Sequence, residues 1–209
     1  MKSIVVITLA ALLLPGAGPA QSQSPVAPAS VYHLSGMTVV SPDQPGWELS
    51  KSDGSEIVFE KRDKDRVCRA SVTIIKTAVY DTDKDLLAGL EALKQRELDQ
   101  LDVDSIHFNY TGFNGRPGLH YDGIVRLDRT SSPGFGYLNF KGRLIPYPGT
   151  PGLAVKIDFS DRSKARGFSK ELLSFSERWV ADQERLAQKA RLDTDKDKFV
   201  DAWRDLPAS

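Results

Sequence analysis

The sequence is poor in the residues from which most reactive centres are built. It holds one cysteine, Cys68, so no disulfide can form within the chain, and three histidines, His33, His107 and His120. No HExxH, GxSxG or Cys/His cluster is present, which leaves zinc-protease and nucleophile-elbow chemistry without a motif. Charge of one sign is not in excess either. The 28 basic and 28 acidic residues cancel, so nothing predicts nucleic-acid affinity. Long apolar runs are confined to the first residues, and "IVVITLAALLL" is shorter than the ~20 residues a membrane span requires.

That run has the three parts of an export signal: Lys2 in front, the apolar stretch, and the small residues of "PGAGPA" behind it. Gly18 and Ala20 occupy the positions a signal peptidase reads. The expectation is a signal peptide over 1–20, no integral membrane segment after its removal, and a periplasmic or secreted chain. "QSQSPVAPAS" has too little apolar surface to order itself, so 21–30 reads as a flexible leader. One domain is expected over 31–181, a size that builds a core without staples, followed by a helical extension over 182–209.

Hydrophobic patterning gives the class. From Tyr32 to Val79 residues alternate as in strands, with "SDGS" as a tight hairpin whose Asp-Gly would supply a positive φ. Cys68, Ala70, Val72 and Ile74 share one strand face. Leu86, Leu87, Leu90, Leu93, Leu98 and Leu101 then recur at helical spacing behind Thr82 or Asp83 as N-cap. Four further strands follow between Ser105 and Ser160, separated by "NGRPG", "RTSSPG" and "YPGTPG". Their apolar faces carry Leu119, Tyr121, Val125 and Leu127, then Leu138, Phe140 and Leu144, then Leu153, Val155, Ile157 and Phe159. A second helix is expected from near Arg162, with Phe168, Leu172, Phe175 and Trp179 along one stripe. The sum is an α+β fold: an antiparallel sheet of about six to seven strands with two main helices packed on it.

This element order, with "PGWELSKSDGSEIVFEK", "DLLAGLEALKQRELDQL", "FNGRPGLHYDGIVRL" and "GLAVKIDFSDRSKARGFSKELLSFSERW" in sequence, resembles the PsbP-like family. That family includes the extrinsic photosystem II proteins and periplasmic proteins of the DcrB type. The resemblance spans Val31 to Ala181 and implies a non-enzymatic subunit, adaptor or envelope accessory. It carries over no functional residue.

Three places merit chemical attention. The polar face of the strands sets out Arg126, Tyr137, Asn139, Lys141 and Arg143, a surface for an anionic ligand or an envelope protein, or else simply the wet or helix-covered side of a sheet. His120 and Asp122 share a strand face, which permits a hydrolase reading. "DTDKDKFVDAWR" places Asp193, Asp195, Asp197 and Asp201 at ligand positions of a calcium loop. Lys198 stands where such a loop needs Gly, however, and Arg204 where it needs a bidentate carboxylate. The same letters, "DTDKD", open the first helix, so a capping role explains them as well. Cys68 lies between Arg66 and Arg69, which would favour a thiolate, but it points to the apolar face. The reading is therefore an exported, non-enzymatic binding or accessory module without a cofactor, with the hydrolase and the calcium-responsive module as alternatives.

The calcium alternative has a direct check. If the loop binds, calcium raises the melting temperature of the parent chain, and Asp193→Asn combined with Asp195→Asn removes the rise. A parent whose melting is indifferent to calcium excludes the loop.

Overall fold

In a computed structural model of the chain, the residues described are 29–191 apart from 100, 114, 115, 129 and 131; the side chains of 111–113 and 116 are also left undescribed. The signal segment, most of the leader, and Asp193, Asp195, Asp197 and Asp201 lie outside the described residues.

The first hairpin pairs β1 (Val31–Leu34) with β2 (Met37–Val40). Its turn needs two residues at positive φ, supplied by Ser35 at 42° and Gly36 at 73°. The main sheet follows: β3 (Glu48–Ser52), β4 (Glu56–Asp63), β5 (Arg66–Lys76), β6 (Asp102–Phe113), β7 (Arg116–Arg126), β8 (Tyr137–Pro146) and β9 (Leu153–Ser163). All pair antiparallel, in the order β3-β4-β5-β9-β8-β7-β6. Helix α1 (Asp83–Leu98) carries the chain from β5 to the far edge, and the meander β6 to β9 brings it back to β5. Helix α2 (Lys170–Ala187) closes the fold. The α+β class and its strand number agree with the sequence expectation.

The helices lie on opposite faces of the sheet. Strand alternation sends Val155, Ile157 and Phe159 to one face, where they join Cys68, Ala70, Val72 and Ile74 under Phe175, Trp179 and Val180 of α2. It sends Ala154, Leu144, Phe140, Tyr121 and Leu119 to the other, under Leu90 and Leu98 of α1. Each fully buried side chain of this size contributes roughly 1.5–3 kcal/mol, so both faces are strongly held. Of the alternatives offered for the polar row of the strands, the helix-covered one is what the fold builds.

Local chemistry fixes the element ends. Thr82 caps α1, its Oγ1 accepting from the Asp85 N–H at 3.2 Å. Ser169 caps α2, accepting from the Leu172 N–H at 3.3 Å. The second helix therefore starts at Lys170 and not near Arg162, because β9 continues to Ser163 in register with β5 and β8. Nor does the domain end at Ala181. Helix α2 runs through to Ala187, with Gln183, Glu184 and Ala187 buried. Gln183 accepts from the Val40 N–H at 3.2 Å and donates to the Val40 carbonyl at 3.0 Å, behaving as a strand partner for β2. At the "SDGS" hairpin Gly54 is not among the residues at positive φ. The turn is held by the Asp53 carboxylate, which accepts from the N–H groups of Ser55 and Glu56, both at 2.8 Å.

Gly142 is required by close approach. A Cβ at Gly142 would meet the Ile157 carbonyl oxygen and the Tyr121 hydroxyl, because the Tyr121 ring lies across that strand. Gly142→Ala should cost about 2 kcal/mol in denaturant unfolding, since backbone bounds the space on one side. A change below a few tenths would mean that both the β9 backbone and the ring give way.

Candidate functional site

The polar row of β8 folds inward. Helix α2 covers it, and its acidic residues meet it: Lys141 Nζ lies 2.9 Å from Glu177 Oε1, and Arg143 Nε lies 3.2 Å from Glu184 Oε2. Asn139 is fully buried. It donates to the Ala165 carbonyl at 3.2 Å and accepts from the Gly167 N–H at 2.6 Å, which clamps the link from β9 to α2. Asp161, also fully buried, accepts from Asn139 and Ser163 and pairs with Arg66 at 3.1 Å. The reading of Asn139, Lys141 and Arg143 as an external ligand surface is corrected: they are interior supports of α2. Arg126 and Tyr137 are register partners at the outer end of the row, and Arg126 stays exposed, 3.6 Å from Asp104.

His120 and Asp122 share a face as expected but have different partners. His120 Nε2 sits 3.5 Å from Glu184 Oε1, at the edge of hydrogen-bond range, while Asp122 Oδ2 lies 3.3 Å from His107 Nδ1, both side chains exposed. Glu184 is buried, which works to raise its pKa, but His120 and Arg143 hold it below the usual carboxylate range. The structure thus turns His120 toward a carboxylate of α2. Cys68 is buried too. Desolvation first, and Asp161 second, push its pKa up to about 12, so it is a neutral thiol and not the activated one its arginine neighbours suggested.

The opposite face carries an open groove. Helix α1 packs over β6 and β7 and leaves the sheet uncovered beyond its C-terminal end. Register sets the floor as cross-strand rows from β4 to β8: Arg62, Val67, Arg162, Leu138; then Glu60, Arg69, Ser160, Phe140; then Ser71 and Asp158; then Glu56 and Lys156. Leu98 and Leu101 of the α1 end and Phe135 of the β7–β8 connection form an apolar wall, and the groove encloses about 550 Å³. That lies within the range of roughly 300–1,000 Å³ common for small-ligand pockets.

Its inner end is a desolvated ionic cluster. Lys94 is the charged member of the buried stripe Leu90, Lys94, Leu98 on α1. Its ammonium is 4.3 Å from the centre of the Tyr121 ring, 3.0 Å from Glu97 and 3.8 Å from Asp158. Lys156 lies 2.9 Å from Glu97 and 3.2 Å from Asp158. The Tyr121 hydroxyl donates to Asp158 across Gly142. Burial alone would raise the Asp158 pKa, but Lys94 and Lys156 hold it below its ordinary value. Burial would lower Lys156, and the Asp158 and Glu97 carboxylates raise it instead. Burial and the same Asp158 charge keep Tyr121 well above the usual phenol range. The cluster is internally balanced, two cations against two carboxylates.

Sequence reasoning left this groove out. Its signal was Lys94, set four residues from Leu90 and from Leu98 on an otherwise apolar stripe. Among the described residues, no group of three or more His, Cys, Asp or Glu is placed to hold a metal ion, and no helix is long and apolar enough to cross a membrane.

No protein-family model matches the chain, and no curated protein matches it. Among solved structures it is similar to a Pseudomonas aeruginosa protein of unknown function (15% identity, TM-score 0.39, covering 76% of this chain and 95% of the other). It is similar to the cyanobacterial PsbP of Synechocystis at 13% identity and TM-score 0.39, covering 84% of this chain and 99% of the other. A human StAR-related lipid transfer protein 5 is more distant, at 13% identity and TM-score 0.26, with 70% and 86% covered. Likenesses of this size carry no argument about what the groove holds.

Asp158→Asn leaves the buried Lys94 and the half-buried Lys156 short of a partner and should destabilise the chain by about 3 kcal/mol in urea unfolding. Asp158 and Glu184 both have folded pKa values below their ordinary ones, so their stabilisation is complete above those ordinary values and is lost as pH falls through the folded ones. Stability should therefore decline between about pH 5 and pH 2, and Asp158→Asn should flatten that decline. An acid limb identical to the parent's would remove Asp158 from the account. A thiol reagent at about pH 8 should label Cys68 only after unfolding.

Proposed function

We propose that the chain is an exported, PsbP-like binding or accessory module of the cell envelope, periplasmic or secreted, that works by holding a small ligand in the groove beyond the end of α1. The observation that carries this reading is the groove itself: a concave site of about 550 Å³ with one apolar wall and a floor of ordered charge. Its ionic cluster is tied by Lys94, Lys156, Asp158 and Glu97 to one another, which supplies preorganised polarity for binding. The export pattern at the N-terminus and the PsbP-like order of sequence motifs support the compartment and the class. The hydrolase alternative gains nothing from the geometry, since His120 is turned to Glu184 and Asp122 to His107.

The test is small-molecule capture. The chain from Gln21 onward is incubated with an envelope extract, washed and denatured, and the released compounds are identified by mass spectrometry. Ser160 lies mid-floor between Arg69 and Phe140, so Ser160→Trp fills the groove and serves as the control. A compound enriched on the parent and absent from a normally melting Ser160→Trp chain is the expected result. Equal recovery from both chains, or none from either, defeats the groove as a binding site.

A further inference from the structure

Resting on that reading, we propose that the groove takes a small amphiphilic monoanion, its head held by Arg162 and its apolar body laid along Leu101, Phe135 and Leu138. The charge pattern points to the head. Five cations and four carboxylates line the groove. Arg62 pairs with Glu60 at 2.7 Å, Arg69 with Glu56 at 3.0 Å, and Lys94 and Lys156 with Glu97 and Asp158. Among the described residues, Arg162 is the lining cation left without an ion pair. A guanidinium with its forked donors unmatched is suited to a carboxylate or a sulfate monoester. The remaining pairs are already balanced, so the floor offers no place for a second negative charge.

The position of Arg162 points to the body. Its backbone is fixed between Val67 of β5 and Leu138 of β8, so an apolar residue flanks the charge on each side. Phe135 is anchored beside that row: its own N–H donates to the Ser132 carbonyl at 3.2 Å, and the next N–H, of Gly136, donates to the Ser163 carbonyl at 3.0 Å. Leu101, 41% exposed, completes the wall. An inorganic anion would leave this wall in water. A neutral apolar molecule would desolvate Arg162 without replacing its hydrogen bonds. Only a ligand with both parts uses both features.

The experiment is an amide-shift NMR titration of the parent chain with octanoate, acetate and octan-1-ol. Octanoate should give saturable shifts centred on Phe135, Leu138, Ser160 and Arg162, with acetate and octan-1-ol each at least about tenfold weaker. Arg162→Glu, at an exposed site, should weaken octanoate by at least about tenfold without lowering the melting temperature. Arg178→Glu, on α2, should leave it unchanged. Shifts centred elsewhere, indifference to Arg162→Glu, or acetate as tight as octanoate would each overturn the proposal. Octanoate silence together with a captured compound lost in Ser160→Trp overturns the ligand class and leaves the binding module standing; silence in both experiments overturns both.

Discussion

The pairing of β5 with β9 is the constraint on which the molecule depends. It runs over eleven residues of each strand, from Arg66 opposite Ser163 to Lys76 opposite Leu153. It joins two pieces that are each too small to stand alone, the N-terminal strands β3 to β5 and the meander β6 to β9. Closing that distance in sequence is entropically unfavourable, and the burial on both faces of the two strands offsets it. On one face Ala70, Val72, Val155, Ile157 and Phe159 build the core under α2. On the other, Arg69, Ser71, Asp158, Ser160 and Arg162 become the floor of the groove. A single ladder therefore supplies both the main hydrophobic core and the candidate binding surface.

Both faces also bury charge, and the two cases differ in kind. Under α2 the pairs are distributed one by one, Lys141 to Glu177 and Arg143 to Glu184, and they hold a helix against a strand. Isolated pairs of this sort return little net stability after desolvation, but removing one partner is expensive, so they act as register marks between α2 and β8. Under α1 the charges are pooled. Lys94, Lys156, Glu97 and Asp158 share contacts, and Tyr121 closes the set. Pooling satisfies each group more than once and fixes the inner end of the groove without needing a ligand to do so.

Much of this was legible. Strand faces read by a period of two were right for β5, β7, β8 and β9, because alternation is a property of the backbone. The stripes of both helices were also right in type. What the sequence could not state was which helix covers which face. The polar row at Asn139, Lys141 and Arg143 looked like a solvent side, because alternation separates faces without naming their neighbours. The missing signal lay far along the chain, in Glu177 and Glu184, two helical turns apart on α2. The late start of α2 has a similar cause. Asp161 and Ser163 belong to a buried network with Asn139 that only the folded sheet assembles. The Gly54 turn failed for a local reason: Asp53 closes it through its side chain, so the glycine need not take the left-handed conformation.

The same reasoning separates support from site. A charge that serves the fold is buried, partnered and placed where a helix needs it, as Lys141 and Asp161 are. A charge that serves a ligand must keep bonding capacity while its backbone is held still. Arg162 meets both conditions, on a strand paired at both sides and without an ion pair among the described residues. His120 is held as still, on a strand also paired at both sides, but its ring nitrogen is directed at Glu184 beneath α2. The distinction explains why the residue types that most suggest chemistry in this sequence, a histidine with an aspartate and a cysteine between arginines, are absorbed into the frame. The arginine that no motif singles out stands where a ligand can reach it.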